Sequence, residues 1–114
     1  MGVRTKARRK ISVDGRDYVW YVKEDEESPY MLLNISSIDK KIILSFPLGT
    51  AFSYVISKGK YFQGEEMPGY WKRFRYMKDL PEAITPGIVR ECIEWAVDGN
   101  GAEEIVCNGS TVQV

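Results

Sequence analysis

Alternating apolar and polar residues mark the first two strands of the chain. Ile11 and Val13 alternate with polar residues, and Tyr18 and Trp20 do the same after Asp14-Gly15. An Asp-Gly pair between two alternating runs favours a hairpin with a type I′ turn, because that turn needs positive φ at both central positions. The pattern leaves a two-residue turn and a four-residue turn open. Their registers differ by two, so either turn keeps the four apolar side chains on one face.

The same alternation predicts four further strands, over residues 30–37, 41–46, 52–57 and 70–77, and a short strand that starts at Tyr61 and ends at Gly64. Apolar residues occur on both sides of the 41–46 strand, which indicates a central position in the sheet. Loops are predicted over residues 24–29, which are acidic and end in proline, and over residues 64–69.

One segment has the periodicity of an amphipathic helix, and we predict that it spans residues 86–98. Thr85 is a suitable N-cap, Pro86 suits the first helical position, and Gly99 is the expected stop. Apolar residues recur at helical spacing and form the stripe that should face the sheet: Ile88, Val89, Cys92, Ile93 and Ala96.

Together these elements predict an α+β fold. We expect an antiparallel β-meander of about five to seven strands, with one C-terminal helix, residues 86–98, packed on one face. A single domain over residues 10–107 should follow a disordered basic arm (residues 1–9) and precede a tail (residues 108–114). The segment from Ile105 onwards either adds a strand or frays, and the pattern leaves both outcomes open.

Length and composition support one globular domain and limit its partners. The chain has 114 residues, of which 44% are apolar, which suffices for a core without disulfides or metal. Sixteen basic and sixteen acidic residues give a net charge of zero, so no overall field attracts nucleic acid or anionic lipid. No run of about 18 apolar residues is present, and the basic N-terminus lacks the apolar core of a secretory signal. We therefore expect a cytoplasmic protein without a membrane partner.

The residues required for several common chemistries are missing. The chain has no histidine, which removes the commonest general base and transition-metal ligand. Cys92 and Cys107 lack structural-zinc spacing. Cys92, on the apolar stripe, is predicted to be a buried inert thiol, and the state of Cys107 stays open. The pairs Glu65-Glu66 and Glu103-Glu104 lie in polar, loop-like sequence typical of solvated acids. We expect no enzyme activity, no metal and no cofactor, although catalysis by carboxylates, tyrosines and lysines is an alternative.

Residues 58–78 combine six basic with six aromatic residues, more than a strand and its turns require. Alternation places Trp71, Arg73 and Arg75 on one face of the predicted strand, and the aromatic residues at 70, 74 and 76 on the other, towards the core. The exposed cations then shield Trp71 by cation–π contact, bind nucleic-acid phosphates beside stacked bases, or contact a protein partner. The candidate binding residues are Trp71, Arg73, Arg75, Lys58 and Lys60.

Two stretches resemble small uncharacterised bacterial proteins. Residues 13–20 contain the Gly-x-x-Tyr-x-Trp of their opening hairpin, and residues 84–90 contain the Thr-Pro-x-x-Val-Arg of their helix start, which continues through Ile93 and Ala96. The resemblance covers about a fifth of the chain and departs at the helix end, where Gly99-Asn100-Gly101 replaces Gly-Trp. It implies a bacterial origin and the domain boundaries, and it assigns neither an activity nor a site.

The function expected from the sequence is that of a non-catalytic bacterial accessory or interaction protein with an unidentified protein partner. The alternative is a single-stranded nucleic-acid-binding module that uses the basic-aromatic strand face. The first expectation rests on the missing chemistries, and the second on residues 58–78.

Overall fold

A computed structural model describes residues 8–24, 30–49, 54–67, 72–76, 78, 80–81 and 83–105. The elements are β1 (Arg9–Val13), β2 (Arg16–Glu24), β3 (Met31–Ser37), β4 (Ile43–Pro47), β5 (Tyr54–Ser57), β6 (Tyr61–Phe62), β7 (Glu65–Glu66), β8 (Lys72–Arg75), α1 (Pro86–Asp98) and β9 (Glu104–Ile105). Within these ranges, seven strands form one antiparallel sheet in the order β1-β2-β3-β4-β5-β8-β9, and β6 pairs with β7. The predicted α+β meander with a single covering helix is confirmed.

The first hairpin has the two-residue turn. Val13 pairs with Arg16, and the intervening Asp14 and Gly15 both have positive φ, 51° and 79°. Glycine adopts that backbone without steric cost, which is why Asp-Gly selects this turn. Val13, Tyr18 and Trp20 are buried and Ile11 is partly buried, so the predicted common face is confirmed.

Two faces of the sheet follow from the register. The core face carries buried side chains on β1 to β5 and on β8: Val13, Tyr18, Trp20, Val22, Leu33, Ile35, Leu44, Phe46, Val55 and Phe74. The outer face carries their alternates, most of them partly exposed: Val19, Tyr21, Lys23, Leu32, Asn34, Ile43, Tyr54, Ile56 and Arg73. A sheet with one helix can bury only one of its faces in this way.

The helix has the predicted bounds and the predicted inner stripe. The Thr85 hydroxyl accepts a hydrogen bond from the Ile88 backbone N–H at 3.3 Å, which satisfies one of the free donors at the helix start. Val89, Cys92, Ile93 and Ala96 are fully buried, and Ile88 is partly buried. At the other end, the Gly99 N–H donates to the Trp95 carbonyl at 3.0 Å with extended backbone, so Gly99 ends the helix without the left-handed turn.

A small hairpin of β6 and β7 lies beside the end of the helix. Phe62 stacks on Phe74 with ring centroids 4.2 Å apart and meets the edge of Trp95 at 5.3 Å. The Gln63 N–H donates to the Ala96 carbonyl at 2.7 Å, and its side-chain amide donates to the Trp95 carbonyl at 3.1 Å. The first bond satisfies a carbonyl at the helix end, and the second adds to the bond that Trp95 already accepts from Gly99. Gln63 therefore fixes the hairpin against α1.

The hairpin corrects one prediction, because residues 64–69 were expected to be a loop. Glu65–Glu66 pairs with Tyr61–Phe62 around a turn in which Gln63 and Gly64 have positive φ. Two glutamates have weak strand propensity, so local composition hid this strand.

The strand predicted over 70–77 is described in part. The described part forms a strand over Lys72–Arg75, and Tyr70, Trp71 and Met77 lie outside the described residues. Glu104–Ile105 adds a strand beside β8, one of the two outcomes left open for that segment. Residues 1–7 and 106–114 also lie outside the description, and β1 starts at Arg9. Among the described residues, no helix has the length and apolar character needed to cross a bilayer.

Candidate functional site

The structure places four of the five candidate binding residues. Arg73 and Arg75 lie on β8, on the outer face of the sheet, and Lys58 and Lys60 lie in the turn between β5 and β6. Trp71 lies outside the described residues. The predicted alternation on this strand is supported, since Phe74 and Tyr76 are buried while Arg75 is exposed and Arg73 partly exposed.

The cations of β8 are engaged by neighbouring side chains. The Arg73 guanidinium lies 4.9 Å from the centroid of the Tyr54 ring, a cation–π contact across the β5–β8 pair. Arg75 Nε donates to Glu103 Oε1 at 2.8 Å, and Lys72 Nζ is 3.7 Å from Glu104 Oε1. Glu103 and Glu104, interpreted from sequence as solvated loop acids, therefore offset the positive charge of this strand. The Arg75 backbone N–H also donates to the Glu103 carbonyl at 2.8 Å, which fixes the acidic segment in register.

Lys58 and Lys60 belong to a group of four exposed lysines. The turn that carries them packs on the turn between β3 and β4, where Lys40 and Lys41 are also exposed. The Lys60 N–H donates to the Lys41 carbonyl at 2.8 Å. We call Lys40, Lys41, Lys58 and Lys60 the lysine cluster. Sequence reasoning missed Lys40 and Lys41, because only the pairing of β4 with β5 brings residues 41 and 60 together.

The outer face combines partly exposed apolar side chains with a rim of cations. Val19, Leu32, Ile43 and Ile56 lie on four adjacent strands and are partly exposed. The Arg8 guanidinium lies 4.5 Å from the centroid of the Tyr21 ring. An arginine guanidinium thus lies over the ring of each described tyrosine of this face, Tyr21 and Tyr54. Neither ring is therefore fully open for stacking with a nucleic-acid base.

One polar pair interrupts the apolar part of the outer face. The Ser45 hydroxyl donates to Asn34 Oδ1 at 2.7 Å. Asn34 Nδ2 is buried and has no hydrogen-bond partner among the described residues. Leaving a buried amide donor unpaired costs free energy, so this pair is a weak point of the face and not a stabilising network.

The core face holds one pair of buried titratable groups. Tyr76 Oη and Cys92 Sγ are 3.7 Å apart beneath the helix. Burial raises the pKa of the Cys92 thiol to about 11 and raises the pKa of the Tyr76 hydroxyl as well. A thiol with a raised pKa is a poor nucleophile at neutral pH. The structure thus places Cys92 as a buried free thiol, as predicted, and Cys107 lies outside the described residues.

Two surfaces of the described residues make up the candidate site. In that part, no three acidic, cysteine or histidine side chains come close enough together to hold a metal ion. No protein-family model matches the chain, and neither a curated protein nor a solved structure matches it. The outer face and the lysine cluster are therefore the two surfaces from which a function can be argued.

Proposed function

We propose that the chain is a non-catalytic interaction protein of a bacterial cytoplasm, and that a protein partner binds the outer face. The observation that best supports this proposal is the contrast between the two faces of one sheet. The core face is closed by α1, while Val19, Leu32, Ile43 and Ile56 form a partly exposed apolar row across β2 to β5 that Ser36 and the Asn34–Ser45 pair interrupt. Exposed apolar side chains bordered by polar residues are typical of protein-binding surfaces.

The charges around this row define the partner. Arg8, Lys10 and Lys23 lie on the β1–β2 side of the outer face, and Arg73 lies on the β8 side. Two acids on the same face are already engaged, since Asp17 accepts a hydrogen bond from Ser12 and Glu103 pairs with Arg75. A complementary partner therefore has an apolar centre and an acidic rim, since opposed charges at a rim guide association and set orientation.

Photo-crosslinking tests which face is used. A photoreactive phenylalanine replaces Tyr21 on the outer face or, as the matched control, Asp98 on the exposed side of α1. We expect a protein partner to crosslink at position 21 and not at position 98. Ile56→Asp should weaken that crosslink by about tenfold or more, because it buries a charge under the partner, while Ile38→Asp in an exposed turn should leave it unchanged.

Two results contradict the proposal. One is a partner that crosslinks equally from positions 21 and 98. The other is a crosslink at position 21 that survives Ile56→Asp in a variant whose circular dichroism shows a native fold.

The nucleic-acid alternative receives its support from the lysines and not from β8. Arg75 and Lys72 are paired with carboxylates, and Arg73 lies over Tyr54. Lys58 and Lys60, in contrast, belong to the lysine cluster, which holds four positive charges. The lysine cluster is therefore the surface that favours the nucleic-acid alternative.

A further inference from the structure

The lysine cluster brings four positive charges to one end of the sheet. Lys40 and Lys41 end the turn between β3 and β4, and Lys58 and Lys60 flank Gly59 in the turn that follows β5. All four are exposed. The two pairs lie on different turns, separated by β4 and β5, so their proximity is a product of the fold.

Backbone contacts hold the two turns together. The Lys41 carbonyl accepts hydrogen bonds from the N–H groups of Lys60 at 2.8 Å and Tyr61 at 3.0 Å, and the Lys58 N–H donates to the Ile43 carbonyl at 2.9 Å. A Cβ atom at Gly59 would overlap the Lys41 carbonyl, so glycine permits this close approach. The backbone therefore fixes the positions of the four Cα atoms, while the flexible side chains let the ammonium groups move towards a ligand.

The cluster is left electrostatically unbalanced. Among the described residues, the ion pairs within 4 Å use other cations, Lys72, Arg75, Lys78 and Arg90, and none uses a lysine of the cluster. Asp39 is the acid of the same turn, and it is occupied: its carboxylate accepts hydrogen bonds from the Ser37 hydroxyl at 2.6 Å and the Lys41 N–H at 3.1 Å. These bonds hold the pKa of Asp39 below its ordinary value.

Like charges brought close together repel and reduce stability. The turns are held by Gly59, the backbone bonds and the Asp39 carboxylate, so the fold does not require lysine at these four positions. A group of cations that the fold does not require, and that forms no ion pair within 4 Å among the described residues, points to an anionic ligand.

We propose that the lysine cluster binds the phosphate backbone of a single-stranded nucleic acid. Lysines are flexible point charges, whereas a compact phosphate ligand is usually held by forked arginine contacts or converging backbone N–H groups. Point charges spread over two turns match a string of phosphates. Ile38, 56% exposed, is the single large apolar side chain strongly exposed on the described part of these turns, which is little for insertion into a lipid surface. The site is separate from the proposed protein-binding face, so either proposal can fail alone.

The test compares two variants of equal charge. One replaces the four lysines of the cluster by glutamine, and the matched control replaces the four ion-paired cations, Lys72, Arg75, Lys78 and Arg90, by glutamine. Binding of a fluorescent oligo-dT is followed by anisotropy between about 50 and 200 mM salt, a range over which four phosphate contacts predict roughly a 50-fold loss of affinity. We expect the cluster variant to bind at least about tenfold more weakly than the parent at low salt and to lose most of the salt dependence.

The control should keep the salt dependence of the parent. If the control variant melts early, Lys72→Gln with Lys78→Gln replaces it, against Lys41→Gln with Lys60→Gln as the matched pair. The cluster variant should fold, because it removes repulsion and no hydrogen bond.

Four results overturn the proposal. They are no binding of oligo-dT at about 50 mM salt, an unchanged affinity in the cluster variant, an equal loss in the control variant, and tighter binding to phosphatidylserine vesicles than to the oligonucleotide. None of these results bears on the crosslinking at position 21, so the two proposals are judged separately.

Discussion

Tyr18 and Tyr21 lie three residues apart on β2 and experience opposite environments. Tyr18 is on the core face, 1% exposed, and burial raises the pKa of its hydroxyl. Tyr21 is on the outer face, partly exposed, with the Arg8 guanidinium over its ring. Alternation along a strand separates the two side chains, and the single helix decides which of them is enclosed. The chemistry of each face thus follows from where α1 packs.

The two faces should also respond differently to substitution. Core-face side chains interlock with α1 and with the aromatic rings of Phe46, Phe62, Tyr76 and Trp95. Outer-face side chains are supported from one side only. A loss of volume leaves a cavity on the core face, whereas solvent fills the same space on the outer face. Three measurements test this difference.

The largest effect is expected at the centre of the helix. Ile93 is 0% exposed, so Ile93→Ala should lower the free energy of unfolding by about 2–5 kcal/mol. Ile56→Ala on the outer face removes the same atoms and should cost about 1 kcal/mol or less. Urea unfolding of the two variants gives both values. Equal losses would show that the faces are packed alike.

A smaller effect should appear at alkaline pH. Well below pH 9.0, its ordinary pKa, the Cys92 thiol is protonated in the folded and the unfolded chain, so its contribution is complete there. The folded pKa is raised to about 11, so the unfolded state ionises first between pH 9 and 11 and stability falls as pH rises. The loss should be on the order of 2 kcal/mol. Denaturant unfolding across this range should give a shallower pH slope for Cys92→Ala, and identical slopes would place the thiol in contact with water.

The smallest effect is expected for the polar pair of the outer face. Asn34→Val combined with Ser45→Ala removes the unpaired Asn34 amide together with its partner, so stability should be unchanged or rise by up to about 1 kcal/mol. Asn34→Ala alone leaves the Ser45 hydroxyl without its acceptor and should lower the free energy of unfolding by about 1 kcal/mol. Thermal melts compare the two. A double variant less stable than the single would assign the pair a stabilising role.

Features that depend on neighbouring residues could be predicted from the sequence. The Asp14-Gly15 turn follows from its own φ requirement, and the helix bounds follow from Thr85, Pro86 and Gly99. The face of each early strand follows from alternation, because either turn length preserves it.

Features that depend on distant residues could not be predicted. Glu65–Glu66 becomes a strand because Tyr61–Phe62 pairs with it and Gln63 ties the hairpin to α1. Glu103 contacts Arg75 because β9, which follows the helix in sequence, pairs with β8. Lys41 contacts Lys60 because β4 pairs with β5. The sequence around a residue does not indicate which distant residue it will contact. Lys58, Lys60, Arg73 and Arg75 could therefore be named from the sequence, whereas Lys40, Lys41 and the pairing with Glu103 could not.

The strand order has a consequence for synthesis on the ribosome. Each of β2 to β5 pairs with the strand just before it, so the growing chain can assemble five strands as it emerges. The helix that closes the core face spans Pro86–Asp98 and is translated after all of them. Until then the nascent sheet presents apolar surface on both sides. A pause in translation before residue 86 therefore exposes the chain to aggregation, and the rate of elongation through residues 58–98 sets how long that exposure lasts.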